Sequence, residues 1–232
     1  MENIKFDLKA TSVREINKFL HHEIADGTAP KITIENPDGA HNIAAGLNVN
    51  CEVEIRGHVG YYAAGMNQHA SVLVNGNAGT GVAENMMSGR VHVRGSASNS
   101  AGASAHGGLL IIDGDAGLRC GISLKGGDIV VGGSVGSFSA FMAQAGRIVI
   151  CGNAGAALGD SLYEAVVYVK GHIKSLGADA RVEDMTVDDH QALESLLNQA
   201  GTSYSTHRPS DFKRIASARS LYHWNADANQ EY

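Results

Sequence analysis

The sequence predicts an all-β protein built as a right-handed parallel β-helix. The expected form is a single-stranded solenoid of about 19 residues per coil, with seven regular coils, one irregular coil and short capping helices at both ends. Three observations carry this. Gly57, Gly76, Gly95, Gly114, Gly133, Gly152 and Gly171 recur at one unvarying interval, each opening a variant of Gly-x-(Ala/Val)-Gly. Two aliphatic columns precede them, Val53, Val72, Val91, Leu110, Ile129, Ile148 and Val167 four residues before, and Ile55, Val74, Val93, Ile112, Val131, Ile150 and Val169 two before. The composition agrees, since 29 Gly, 3 Pro and 6% aromatic residues describe tight turns and small side chains.

Apolar residues two apart share one face of a strand, and β-branched side chains suit the pleat, so each repeat carries one short strand with an inward face. A third inward column follows the glycine by two: Val59, Ala78, Ala97, Ala116, Val135, Ala154 and Ile173. Two further columns hold small residues, with few exceptions Gly or Ala. They are Cys51, Ala70, Gly89, Gly108, Gly127, Gly146 and Ala165, and Ala64, Ala83, Gly102, Gly121, Ala140, Gly159 and Ala178. They read as the corners of the coil. A helix pair does not fit in so short a unit, which leaves coils stacked in parallel, like residue on like residue.

The irregular coil comes first. Ala44-Ala45-Gly46-Leu47-Asn48 matches Ala63-Ala64-Gly65-Met66-Asn67 one period later, while Ile32-Thr33-Ile34 lies one period and two further positions ahead of Val53-Glu54-Ile55. The loop Asn36-Pro37-Asp38-Gly39 absorbs the two extra residues. The chain therefore divides into a capping segment (1–30), the solenoid (31–178) and a C-terminal segment (179–232). In the first, Ser12-Val13-Arg14-Glu15 is a capping box followed by Val13, Ile16, Phe19 and Leu20 at helical spacing. In the last, Asp188 to Ala200 carries Leu193, Leu196 and Leu197 as one face of a helix that would cap the far end. Tyr204, Phe212, Tyr222 and Trp224 then predict a segment lying along the solenoid or a partner.

The glycines first suggest a phosphate cradle, but neither G-x-G-x-x-G nor G-x-x-x-x-G-K-[ST] occurs. Eleven histidines form no H-x-x-x-H pattern, and His58 and His172, equivalent in the repeat, stand six coils apart, too far to share an ion. Asp113 and Asp115 flank Gly114, where other coils have Asn75/Asn77 and Arg94/Ser96, so the position reads as one that tolerates polar turn residues. Cys51, Cys120 and Cys151 are far apart and odd in number, which signals neither disulfides nor zinc and fits a reducing cytoplasm. A net charge of −6 without a basic stripe argues against nucleic acid, and no apolar run of signal-peptide or membrane-spanning length occurs. The remaining signal is an outward column three residues before the glycine: Glu54, Leu73, His92, Ile111, Val130, Val149 and Tyr168. From Ile111 onward it is apolar, so Ile111, Val130, Val149 and Tyr168 mark a stripe covered either by a partner or by the chain's own tail.

The phrases "VRGSAS", "IDGDAGLRCG", "VGGSVG" and "ICGNAGAALG" resemble the GXGXG β-helix domain at the C-terminal end of the glutamate synthase large subunit. A similar module occurs in the third subunit of formylmethanofuran dehydrogenase. The resemblance covers about residues 31 to 178, departing only where Ser98 and Lys174 replace the second glycine. With the ending "FKRIASARSLYHWN", the chain looks most like the stand-alone β-helix subunit of N-methylglutamate synthase-type complexes. The resemblance implies a non-catalytic scaffold with no catalytic, cofactor or metal residues of its own. It would join a glutamine amidotransferase-like subunit to an FMN-binding one in a cytoplasmic hetero-oligomer, with FMN and an iron–sulfur cluster held by a partner. The implied reaction is methylamine plus L-glutamate giving N-methylglutamate and ammonia, a transferase activity within a glutamate-synthase-like oxidoreductase. A hexapeptide β-helix acyltransferase is the competing enzyme class. It needs an aliphatic residue every six positions, and here the third site reads Gly65, Glu84, Ala103, Ile122, Phe141, Asp160.

Overall fold

A computed structural model describes residues 3–25 and 27–219 of the chain. It is a parallel β-solenoid whose coils repeat about 19 residues apart. The strands are β1 (Asn3–Asp7), β2 (Lys31–Glu35), β3 (Glu52–Arg56), β4 (Ser71–Val74), β5 (Arg90–Val93), β6 (Leu109–Ile112), β7 (Lys125–Val131), β8 (Ala145–Ile150), β9 (Val166–Val169), β10 (Ala180–Glu183) and β11 (Lys213–Ser217). Two helices, α1 (Val13–His22) and α2 (Val187–Ala200), accompany them. Parallel pairing runs from β1 through β9 in chain order, after which β11 and then β10 close the sheet antiparallel.

The register is the one the aliphatic columns require. Val53 stands opposite Val72, then Val91, Leu110, Ile129, Ile148 and Val167 in succession, and all are buried. Ile32 faces Val53, so the first loop does take up two additional residues. The third inward column forms its own ladder of single bridges from Val59 to Ile173. The core is therefore stacked rows of Val, Ile and Ala, and no coil could bury its rows alone.

Small residues in the repeat answer to two separate constraints. The glycines of the column containing Gly89, Gly108, Gly127 and Gly146 have left-handed backbone, with φ of +78° at Gly127. A Cβ there would also stand 2.6 Å from the Gly107 carbonyl carbon. The key glycines are different. Gly152 has no unusual φ, but a Cβ on it would lie 2.6 Å from the Gly133 carbonyl, because the coils approach backbone to backbone. These key glycines are points of contact between coils, whereas the left-handed column supplies the corners.

The ends depart from expectation in three ways. β1 is a further rung beneath β2, with Ile4 opposite Ile32 and Phe6 opposite Ile34, so the first segment is more than a cap. Helix α1 follows it as foreseen: the Ser12 hydroxyl accepts the Glu15 amide, and Ile16 and Leu20 are fully buried against the end of the core. At the other terminus α2 forms with Thr186 as N-cap, but it lies along the side of the solenoid and not across its end. At the far end strand β11 adds antiparallel to β9, with Ile215 buried opposite Val167, and β10 lies outside it as the last strand. The physical reason is that the flank offers a continuous apolar stripe, Ile111, Val130, Val149 and Tyr168, to the leucines of α2, while the edge of β9 is already taken by β11.

Substituting Gly127 by alanine adds a backbone collision to left-handed strain, and a loss of about 3 kcal/mol is expected in urea unfolding. Gly39 has φ of +74° with nothing within 4 Å of a Cβ, so Gly39→Ala should cost only about 1 kcal/mol. Equal losses would show that coil-to-coil approach is not what requires the glycine.

Candidate functional site

The outer face of the sheet is split along the rod. Over its N-terminal half it is a lattice of ion pairs: Lys5 with Glu35 at 3.2 Å, Arg56 with both Glu35 and Glu54 at 3.1 Å, and the Asn75 amide donating to Glu54 at 2.7 Å. Such a face is at home in water and has no need of a cover. Over the C-terminal half Ile111, Val130, Val149 and Tyr168 are buried beneath Leu193, Leu196, Leu197 and Ala200 of α2, with Tyr204 and Phe212 beyond. The cover of the expected partner stripe is thus intramolecular. These four side chains are not presented to another subunit in this fold. Tyr222 and Trp224 lie outside the described residues.

Polar groups pin both edges of this cover. At one edge the His92 Nε2–H donates to Asp113 Oδ1 at 2.8 Å, the Tyr204 hydroxyl donates to the same oxygen at 3.0 Å, and Arg94 reaches Oδ2 at 3.3 Å. At the other, the Tyr168 hydroxyl donates to Asp189 Oδ1 at 2.7 Å and Arg214 Nε sits 3.1 Å from Oδ2. Asp189 belongs to the capping box of α2, so one carboxylate fixes both the start of the helix and its docking. Burial raises its pKa, but hydrogen bonds from Thr186 and Tyr168 and the charge of Arg214 outweigh that and hold it at about 2. Burial lowers the pKa of His92, partly opposed by Asp113, and burial also lowers that of His207, which lies 3.0 Å from the Lys170 ammonium.

None of the three cysteines is set up as a nucleophile. Burial pushes the thiols of Cys51 up to about 11 and of Cys120 and Cys151 up to about 12, so all three are protonated packing residues at neutral pH. Among the described residues no cluster of three or more His, Cys, Asp or Glu side chains could hold a metal ion. None of the described helices is long and apolar enough to cross a membrane.

The residue after each of the first six key glycines has a task that sequence reading missed. His58 Nδ1 accepts the Asn77 amide, Asn77 Oδ1 the Ser96 amide, Ser96 Oγ the Asp115 amide, and Asp115 Oδ1 the Ser134 amide. Ser134 Oγ and Asn153 Oδ1 continue the series to Asn153 and His172. Each link spans one 19-residue period, at 2.7 to 3.1 Å. The position therefore requires a hydrogen-bond acceptor and does more than tolerate a polar residue. The signal was present, since all seven occupants (His, Asn, Ser, Asp, Ser, Asn, His) can accept.

An apolar ridge is exposed on the described part of the rod, one of several exposed apolar sites there. Leu118, Phe138 and Met142 are 50%, 44% and 38% exposed, with Ile122 and Phe141 half-buried beside them. The Phe138 and Phe141 rings meet edge to face at 6.2 Å. Phe138 and Met142 have left-handed backbone, φ +58° and +54°. Gly81, Ser100 and Ala157 stand at the first of these positions in three other coils, while Tyr62, Arg119 and Leu176 there are bulky; Asn85, Ser104, Ser123 and Ser161 stand at the second, where Met66 is the bulky exception. Apart from the Phe138–Phe141 ring contact, bulky side chains in this conformation, facing water, add little to the fold. They form a candidate interaction surface.

Over 76 residues the chain is 49% identical to Protein GlxC of Rhizobium meliloti (strain 1021). The match covers 33% of this chain and 32% of that protein, so this chain spans about a third of the relative's length. No protein-family model matches the chain.

Val130→Asp puts a carboxylate under α2 and should destabilise the fold by about 3 kcal/mol or more, read by urea unfolding, whereas Leu118→Asp should cost under about 0.5 kcal/mol. Burial lowers the pKa of His92 and His207 in the folded chain, so the unfolded chain binds more protons as pH falls through about 6.5. The melting temperature should hold level above that pH and decline below it. It should decline further below about pH 4, where the unfolded chain takes up the proton that folded Asp189 resists. The double variant His92→Gln/His207→Gln should abolish the upper decline and leave the lower one.

Proposed function

We propose that this chain is the β-helix scaffold subunit of a glutamate-synthase-like, FMN-dependent complex of the N-methylglutamate synthase type. The Gly-x-(Ala/Val)-Gly phrase repeated along a β-solenoid of constant period supports the reading, and so does the likeness of a third of the chain to Protein GlxC. The observation that carries the scaffold role is the ridge at Leu118, Phe138 and Met142: exposed apolar side chains, two of them in strained backbone, on a rod with a well-packed interior. In this reading the rod holds an amidotransferase-like subunit and an FMN-binding subunit in fixed relation, and the ridge seats one of them. Catalytic groups, FMN and the iron–sulfur cluster belong to those partners. The reaction would join methylamine to L-glutamate and release ammonia, in the cytoplasm.

Affinity purification of the tagged chain from native extract is expected to bring down an amidotransferase-like chain and a yellow, flavin-binding chain in fixed ratio. Phe138→Ser/Met142→Ser should reduce their recovery at least tenfold while leaving the melting temperature unchanged or slightly raised. A wild-type chain that brings down neither protein would overturn the scaffold reading. Partners retained in full by the double variant would place the docking surface elsewhere on the rod.

A further inference from the structure

The two ends of the rod are finished differently. At the N-terminal end α1 lies over the core with Ile16 and Leu20 fully buried, Phe6 and Phe19 meet at 5.1 Å, and the outermost strand β1 carries Lys5 at its centre. A covering helix and a central lysine are two of the ways in which a free strand edge is kept from pairing. At the C-terminal end the outermost strand is β10, and among the described residues nothing pairs with its outer edge. It contains no proline and no lysine. Val182 stands opposite Ile215, which is fully buried on the core side, yet Val182 itself is 54% exposed. The aliphatic interior thus reaches the surface at this rung.

We propose that β10 is a self-association edge, through which two copies of this chain join end to end about a two-fold axis. Antiparallel pairing of β10 with itself has one register in which the charges match. With Val182 opposite Val182 of the second copy, Arg181 falls opposite Glu183 of the second copy, and Glu183 opposite its Arg181. The neighbouring registers that keep the edge hydrogen bonds put Glu183 opposite Glu183 or Arg181 opposite Arg181. Within one chain Arg181 already pairs with Glu183 at 2.6 Å, and its side chain is 58% exposed, so the charges need only exchange partners. The two valines, on the core face of their strands, then close each other's interior. A two-fold contact of this kind uses the same surface on both copies and ends with two, so it does not grow into a fibre.

Sedimentation equilibrium of the full chain is expected to show a reversible dimer of the 24.2 kDa protomer. Val182→Lys should give a monomer whose melting temperature matches that of the wild-type chain diluted until it is monomeric, since Val182 is 54% exposed within one copy. Directly opposed residues place their Cβ atoms about 5 Å apart, so Val182→Cys should cross-link copy to copy under mild oxidation. Arg181→Cys, whose opposite residue is a glutamate, should cross-link at least fivefold less. The three native cysteines are buried and do not compete. A full chain that stays monomeric up to about 100 μM, well above the dissociation constants of specific dimers, overturns the proposal. So does a dimer indifferent to Val182→Lys, or one that cross-links equally through both cysteines.

Discussion

Coil-to-coil approach of the backbone is the constraint on which the rest of the structure depends. Along the rod, backbone amides of one coil donate to carbonyls or side chains of a neighbouring coil, as when Gly152 donates to Gly133 and Gly171 to Gly152, while other amides close turns within their own coil, as Ile122 does to Arg119. That contact forbids a Cβ at the key glycines, fixes the period, and brings the aliphatic rows into register as a consequence. Packing then follows from geometry: a row of valines and isoleucines can fill an interior only if every coil offers the same position to the same place. Interior closeness also explains why Gly102 and Gly121 meet the Ile129 and Ile148 side chains where an alanine would collide.

Much of this was legible from the sequence because the period itself is the fold. Seven glycines at one spacing, two aliphatic columns and the two-residue excess before Val53 specified the register residue by residue, and the structure has that register. The ends were harder. β1 is five residues with no glycine phrase and no preceding coil to compare with, and only its pairing with β2 makes it a rung. The position of α2 was also beyond sequence reading. Leu193, Leu196 and Leu197 announce an apolar helix face, but whether that face meets the end or the flank depends on which apolar surface is open to it.

The flank itself was visible in part. The switch from Glu54 and Leu73 to Ile111, Val130 and Val149 marks where the cover begins, and His92 sits at the border, bonded to Asp113. Sequence reading left open whether a partner or the chain's own tail lay above that stripe, because either satisfies the same apolar surface. Phe138 and Met142 were overlooked for a different reason. They belong to none of the aliphatic or small-residue columns, and only the backbone angles reveal that a bulky residue there is held against preference.

The run of acceptors from His58 to Asn153 has a direction, since each side chain serves the amide of the following coil and not the preceding one. A coil therefore arrives with its own acceptor and leaves with it, and excising or duplicating one whole coil leaves no amide stranded within the series. The distance between the two ends of the rod can change only in steps of about 4.8 Å. The molecule is in this sense a ruler graduated in coils, and whatever its ends and flanks touch is held at a separation counted in whole numbers.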